Sequence, residues 1–510
     1  ASATYPNLKA EYGNNHGGRD AGLISAFKIN RPQYNWQVED YDIEDKHDLV
    51  IYELLVRDFT PWVSNKEGNI KNAMAQLDYL QTLGVNAIEL MPVQEFDGND
   101  SWGYNPCAYF AMDKAYGTRN DYKAFIDACH QRGMAVILDV VYNHATGAHP
   151  YAAMYWNKSA NKTEARNPWF NVDAPHQWSV FHDWNHSNPL VRDHVKRSLT
   201  YLMTEYKIDG FRFDLTKGFT QNSGTEECYD QSRVDFLKEY HAHIKSVDDK
   251  AVMICEHFVD DENWELGKDG MLVWRKMNHP YTKAQRRNMG DADFTGTTNG
   301  FNADGTMADW NNFGMLVGFQ ESHDEQRTNY DAQWEDNSGP EIPFATRMER
   351  AKINAAFFLL SPGPKMIWQF GEIGYDISGG NGDSSKKPCK TAEYMAVPER
   401  KALYDTYCML IDFRKDNPRF FDYDVNFRWY VDNNHQTGRY LFSKSAEGKQ
   451  FALFGNFGSE TKSIGVALPE GVDKWYQYDD KNAVWNGSNH TVEMAEGQFY
   501  LLVSDPSMCR

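Results

Sequence analysis

What the chain lacks narrows its class before anything it contains. No stretch of its 510 residues reaches the roughly 18 consecutive apolar residues of a membrane span. Cysteine is scarce: Cys107, Cys129, Cys228, Cys255, Cys389, Cys408 and Cys509 form an odd, scattered set with no CxxC spacing, which excludes a disulfide framework and a zinc motif. Positive charge is in deficit, with 52 Lys and Arg against 72 Asp and Glu and a net charge of −20. A chain this acidic is not built for nucleic acid or an anionic membrane, both of which need basic patches. No basic-then-apolar leader, internal repeat or low-complexity tract is visible. The Gly-rich "SGGNGDSSKK" (378–387) lacks the G-x-x-x-x-G-K-[ST] spacing of a phosphate loop, so a nucleotide enzyme is disfavoured and no organic cofactor is expected.

What remains is a folded chain with 41% hydrophobic and 24% charged residues, too long for one ordinary core but well suited to a large barrel plus a smaller domain. Its 15 Trp and 29 Tyr offer flat apolar faces that suit sugar rings. From residue 49, short apolar runs alternate with amphipathic segments: "LVIYELLVRDF", "NAIELMP", "MAVILDVVYNH", "DGFRFDLTKGF", "AVMICEHF", "MLVWRKMN", "GMLVGFQESHD" and "PKMIWQFGEIG" read as strands, each followed by a helical pattern. Eight such units predict a parallel (β/α)8 TIM barrel over residues 49–423. Residues 145–188 break the alternation and read as an inserted domain after the third strand. Residues 424–510 change to short alternating runs and turns, an antiparallel β-sandwich, with Trp429, Tyr430, Trp475, Tyr476, Trp485 and Tyr500 in its core or on its face. Residues 1–48 show no strong periodicity and read as an extended lead-in, the tail of an absent N-terminal domain being one alternative.

A barrel demands that catalytic residues sit at the C-terminal ends of its strands. Asn143 and His144 end the third strand, Asp214 the fourth, Glu256 the fifth, and His323 and Asp324 the seventh. In "GFRFD", alternation puts Phe211 and Phe213 on one face and Arg212 and Asp214 on the other, so the guanidinium can hold Asp214 ionised. Glu256 follows the apolar Ile254 and Cys255, where burial would favour the protonated acid. An ionised carboxylate beside a protonated one, with no Cys/His metal cluster, is the equipment for cleaving a glycosidic bond.

The same residues carry a resemblance. "DVVYNH", "GFRFDLTK", "CEH" and "SHDE" stand in the order and spacing of the four short stretches of the α-amylase superfamily, glycoside hydrolase family thirteen, and the similarity runs from about residue 48 to near the end. It implies Asp214 as nucleophile, Glu256 as acid/base and Asp324 as the residue that binds and distorts the sugar. Arg212 would orient Asp214, His144 and His323 would hydrogen-bond sugar hydroxyls, and Tyr104, in "WGYNPCAYFAMDKAYGT", would stack on the same ring. Lys217 and His257 would reach the following sugars. The insertion would be domain B, 424–510 the C-terminal sandwich, and the reaction would retain configuration. The implied partner is an α-glucan such as starch, glycogen or maltooligosaccharides.

The chain also departs from the family pattern. Many calcium-dependent members have His where this chain has Gly218; Asn143 and Asp183 match the other calcium positions, so a structural calcium is the one cofactor to test. "DGND" (97–100) offers a second acidic stretch that also reads as a solvated turn, and His176, His182 and His186 read as cleft-lining or surface residues. "SHDE" resembles branching enzymes and neopullulanases, "ELMPV" and "WGYNP" resemble pullulanases, whereas Lys217 in "DLTK" is typical of α-1,4-acting amylases. Hydrolysis of α-1,4 bonds is the favoured expectation, with α-1,6 cleavage, glucan transfer and a non-catalytic glucan-binding protein as alternatives. The start "ASATYP" leads to an expected extracytoplasmic location, with the cytoplasm as alternative; N-x-[ST] sites such as that at Asn157 permit glycosylation without pointing to it.

Overall fold

The computed structural model describes residues 29–60, 68–379 and 382–510. Eight strands, β1 (Val50–Leu54), β2 (Ala87–Leu90), β3 (Ala135–Val140), β4 (Gly210–Phe213), β5 (Val252–Cys255), β6 (Leu272–Lys276), β7 (Leu316–Phe319) and β8 (Lys365–Trp368), close a barrel in the order β1-β8-β7-β6-β5-β4-β3-β2. β1 to β5 and β8 are buried along their whole length, because a parallel barrel covers both faces of its sheet. Gly210 answers to this packing: a Cβ there would lie 2.4 Å from Val252 Cγ2 and 2.7 Å from its carbonyl oxygen.

The strands are shorter than the sequence suggests, since their polar C-terminal ends bend out of the ladder. "LVIYELLVRDF" divides into β1 and a turn of helix, Val56–Phe59, in which Arg57 and Asp58 pair at 2.9 Å. The helical run 69–84 splits into Ile70–Met74 and Leu77–Leu83. The helix Arg119–His130 is started by a capping box between Thr118 and Asp121, and Pro189–Tyr206 has Pro in its first turn and Asn188 as cap.

By its packing the chain divides into two compact units, one running to Glu44 and including Glu53–Gln81 and Asn86–Trp274, the other comprising Asp45–Tyr52, Thr82–Val85 and Arg275–Arg510. In the first, residues 1–28 of the expected lead-in lie outside the described residues. The following stretch is extended and tied to helix Arg119–His130 by Asp127, which accepts hydrogen bonds from Tyr34, Gln37 and Val38. The insertion is built from two-residue strand pairs, His144–Ala145 with His182–Asp183 and Trp156–Asn157 with Lys162–Thr163, around the buried Trp184, whose indole N–H donates to Tyr109 at 3.0 Å.

The second unit ends in the all-β domain. Strands β9 (Asn426–Tyr430), β10 (Gly438–Lys444), β11 (Gln450–Asn456), β13 (Lys474–Gln477), β14 (Asp480–Asn486) and β16 (Phe499–Val503) form a six-stranded sheet ordered β9-β10-β11-β16-β13-β14, while β12 (Lys462–Ala467) pairs with β15 (Asn489–Met494). Phe442, Phe454, Trp475 and Leu502 from the larger sheet pack against Ile464, Val466 and Met494 from the smaller. Arg350, on helix Phe344–Leu359, fastens this domain to the barrel half of its unit, bonding Glu496 at 2.9 Å and the Phe457 carbonyl at 3.2 Å.

Candidate active site

The first unit collects its reactive groups around one guanidinium. Arg212 is fully buried at the end of β4 and contacts three carboxylates: Asp139 at 2.9 Å through both oxygens, Asp214 at 3.1 Å and Glu256 at 2.9 Å. The Trp274 ring lies 4.0 Å from its carbon. Burial works against the charge, but Asp139, Glu256, Tyr104 and Asp214 together hold Arg212 well above its ordinary pKa. Tyr104 donates to Asp139 at 2.5 Å, and burial with that neighbouring carboxylate pushes its phenol far up, so it stays a neutral donor.

Register explains why Asp214 and Glu256 meet here. Phe213 lies opposite Cys255 in the parallel ladder, so the next residues, Asp214 and Glu256, stand side by side on neighbouring strands about 4.8 Å apart and face the same way. Glu256 does not occupy the apolar pocket expected from Ile254 and Cys255: one carboxylate oxygen takes both Arg212 and the Leu215 N–H, the latter at 2.9 Å.

Other expected contacts find different partners. His144 is buried, with Nε2 2.8 Å from the Tyr104 carbonyl and Nδ1 3.1 Å from the Asn143 amide. Burial lowers its pKa to about 4, leaving a neutral ring that supports the Tyr104 loop. The expected sugar contact of His257 is corrected: its side chain is fully buried between Thr216 and Glu262, because the chain turns inward directly after Glu256. Lys217 does reach the surface, paired with Glu227 at 2.8 Å and 4.3 Å from the ring of Trp178, an exposed insertion residue whose indole N–H also bonds Glu227 at 3.1 Å. Sequence reasoning missed Asp139, Trp178, Glu227 and Trp274. A lone Asp in the apolar "AVILDV" was the signal for the first; the others carry none, being single residues in aromatic-rich or polar stretches.

The second unit carries the "SHDE" segment as a turn after β7. The Glu325 carboxylate accepts the Ser322 N–H at 3.2 Å and hydroxyl at 2.5 Å and pairs with Lys276 at 2.7 Å, while Asp324 projects outward, its side chain about half exposed. His323 is buried beside it, its ring 6.3 Å from that of Trp368.

The residues around Asn143 and Asp183 do not fit a calcium cage. His176 Nε2 sits 3.0 Å from one oxygen of Asp183 and Asn171 donates to the other at 2.6 Å, so each oxygen already has a protein partner. The His176 ring is packed against Gly218, where a Cβ would lie 2.1 Å from Asn143 Oδ1 and 3.3 Å from the imidazole. Among the described residues Asn143 Oδ1 and His176 Nδ1 are the buried atoms here without a hydrogen-bond partner, one oxygen against the six to eight calcium takes. His176 and His186 are thus buried struts and not cleft residues, His186 bonding Tyr240 at 2.7 Å. In "DGND", Asp100 pairs with Arg57 at 3.0 Å, and among the described residues no group of three His, Cys, Asp or Glu converges as a metal site. A calcium at 100 times its Kd would contribute about 2.7 kcal/mol. A chelator is therefore expected to leave the thermal midpoint unchanged; a clear fall reversed by added calcium would refute this.

Comparison with known proteins bears on the family and the fold. The family described as "Alpha amylase, catalytic domain" matches residues 51–405. A malto-oligosyltrehalose trehalohydrolase of Saccharolobus solfataricus is 31% identical over 203 residues, 40% of this chain but only 33% of that protein, so the match spans about a third of its length. Alpha-amylase 3 of Dictyoglomus thermophilum is 24% identical over 384 residues, 71% of this chain and 70% of its own. The fold matches a Geobacillus thermoleovorans α-amylase, crystallised with acarbose, at a TM-score of 0.69 and 20% identity, over 90% of this chain and 99% of that one.

Proposed function

Because the chain belongs to the α-amylase family, we propose that it hydrolyses α-1,4-glucosidic bonds of starch, glycogen or maltooligosaccharides with retention of configuration. The observation that carries this reading is the placement of Asp214 and Glu256 side by side on β4 and β5, both against Arg212. Retaining pairs stand about 5 to 5.5 Å apart, whereas inverting pairs need about 6.5 Å or more to admit a water between acid and sugar. Adjacent positions on hydrogen-bonded strands favour the short separation.

The steps follow from charge. Asp214, kept ionised by Arg212, attacks the anomeric carbon while Glu256 gives its proton to the departing glycosidic oxygen; a glycosyl ester forms and the leaving chain departs as an alcohol. The Glu256 carboxylate then takes a proton from water, whose oxygen attacks the same carbon and releases Asp214. Arg212 remains cationic throughout and lowers the cost of charge moving between the two carboxylates. Asp324 and His323 take their sugar-binding roles from the sequence pattern. Lys217, Trp178 and Glu227 present a stacking face with a cation and an anion beside it, which suits the sugars on the leaving-group side.

Product analysis on amylose, pullulan and glycogen tests the linkage. Maltose and short maltooligosaccharides from amylose, with pullulan untouched, are expected. Maltotriose from pullulan would move the assignment to α-1,6 cleavage, and products longer or more branched than the substrate would move it to transfer.

A further inference from the structure

The exit of β4 is irregular in a way that points at the acid/base. Glu256 N–H donates to the Phe213 carbonyl at 3.0 Å, and an evenly spaced parallel ladder would next send the Leu215 N–H to the Glu256 carbonyl. Instead Leu215 adopts a left-handed conformation, φ +46°, and the Thr216 N–H takes that carbonyl at 2.9 Å. The skipped Leu215 N–H is thereby freed for the Glu256 side chain, 2.9 Å from Oε2. A leucine at positive φ costs on the order of 1–3 kcal/mol and persists only where the surroundings over-determine it.

Those surroundings are a buried relay. Thr216 Oγ1 lies 2.8 Å from the Glu256 carbonyl and 2.9 Å from His257 Nδ1, and His257 Nε2 lies 2.7 Å from Glu262 Oε2. Glu262 also receives Arg233 at 2.6 and 2.8 Å and the Asp230 N–H at 2.5 Å, and Arg233 reaches back to the Lys217 carbonyl at 2.7 Å. His257, Glu262 and Arg233 are each fully buried. Burial opposes the charge of Glu262, but the bonds from His257 and Arg233 outweigh it and hold its carboxyl below the usual range. Burial also lowers the His257 pKa, so the ring is neutral, and the carboxylate on Nε2 places its one proton there. Nδ1 is then an acceptor, and the Thr216 hydroxyl, which donates to the Glu256 carbonyl at 2.8 Å, lies 2.9 Å from it and bridges the two.

We propose that Arg233, Glu262, His257 and Thr216 form a strut that positions the proton donor Glu256: it holds the Leu215 N–H against Oε2, so that Oε1 carries the proton to the leaving group. None of the four touches the reacting atoms; they are positioning residues, and their role rests on the hydrolytic reading above.

The test separates acid assistance from structure. A sugar leaving group needs the proton, whereas fluoride departs with little help, and kcat/KM reports the bond-breaking step for both. Thr216→Val, which keeps shape and loses the hydroxyl, is expected to lower kcat/KM on maltooligosaccharides by about 10- to 100-fold, part of the 10²- to 10⁴-fold that general acids supply. On α-maltosyl fluoride the change should stay below about threefold, and Thr216→Ser should restore both. Glu262→Gln, which removes the charge that sets the His257 tautomer, should show the same split. Equal losses on the two substrates, or no loss on either, with an active wild-type enzyme, would overturn the strut alone. A wild-type protein inert towards both would sink the hydrolytic reading and the strut with it.

Discussion

Asp214→Asn is expected to lower kcat/KM on amylose by about 10⁴-fold or more, a loss of about 5.5 kcal/mol of transition-state stabilisation. The amide has nearly the carboxylate's shape but no negative charge with which to form the glycosyl ester, so substrate binding should persist while bond cleavage stops. Stability should not suffer. Asp214 is one of three carboxylates around Arg212, and neutralising it leaves Asp139 and Glu256 to pair the guanidinium. A melting temperature equal to or above that of the wild type, with turnover lost, is the expected pair of results. Turnover within about tenfold of wild type would exclude Asp214 as nucleophile.

Asp139→Ala is expected to damage both stability and activity, for a different reason. Asp139 is buried beneath the site, and both of its oxygens contact the same Arg212 nitrogen while one accepts the Tyr104 hydroxyl. Arg212 keeps Asp214 and Glu256, but the truncation strips the Tyr104 hydroxyl of its acceptor, and a polar group left unsatisfied there costs on the order of 1–3 kcal/mol. Urea unfolding should register that loss. Arg212 would turn towards Asp214 and Glu256, and Tyr104 would lose the acceptor that aims it; a displacement of about 1 Å at such groups costs on the order of 10²-fold in rate. Wild-type stability together with wild-type kcat/KM would show that Asp139 holds neither residue.

Much of the site was legible in sequence because a strand's alternation is simple. "GFRFD" and "CEH" announced a polar face at the end of an apolar run, and Asp214, Glu256 and Arg212 do lie together. The fold class was legible for a similar reason: eight parallel strands, largely buried, need eight apolar runs, with helices between them. Where reading failed, the missing quantity was the direction of chain after a strand ends. His257 follows Glu256 in sequence, yet the turn carries it inward to Glu262, and nothing in "CEHFVDDENWE" announces that. Lys217 lies one residue beyond Thr216 and keeps a partly exposed side chain, while Thr216 is fully buried. His176 and His186 of the insertion failed likewise, since an irregular segment has no period from which to infer a face.

The sequence by itself determined which groups are present and on which strands: a barrel of parallel strands, with two carboxylates and a guanidinium at their ends, and a deficit of positive charge. Only the tertiary structure decided how those groups share charge. Arg212 divides one positive charge among Asp139, Asp214 and Glu256, and His176 occupies the space beside Asn143 and Asp183. The physical reason is that strand periodicity is local, repeating every two residues along one chain. Hydrogen-bond partners across a barrel depend instead on register and burial, which bring together residues 73 positions apart, such as Asp139 and Arg212.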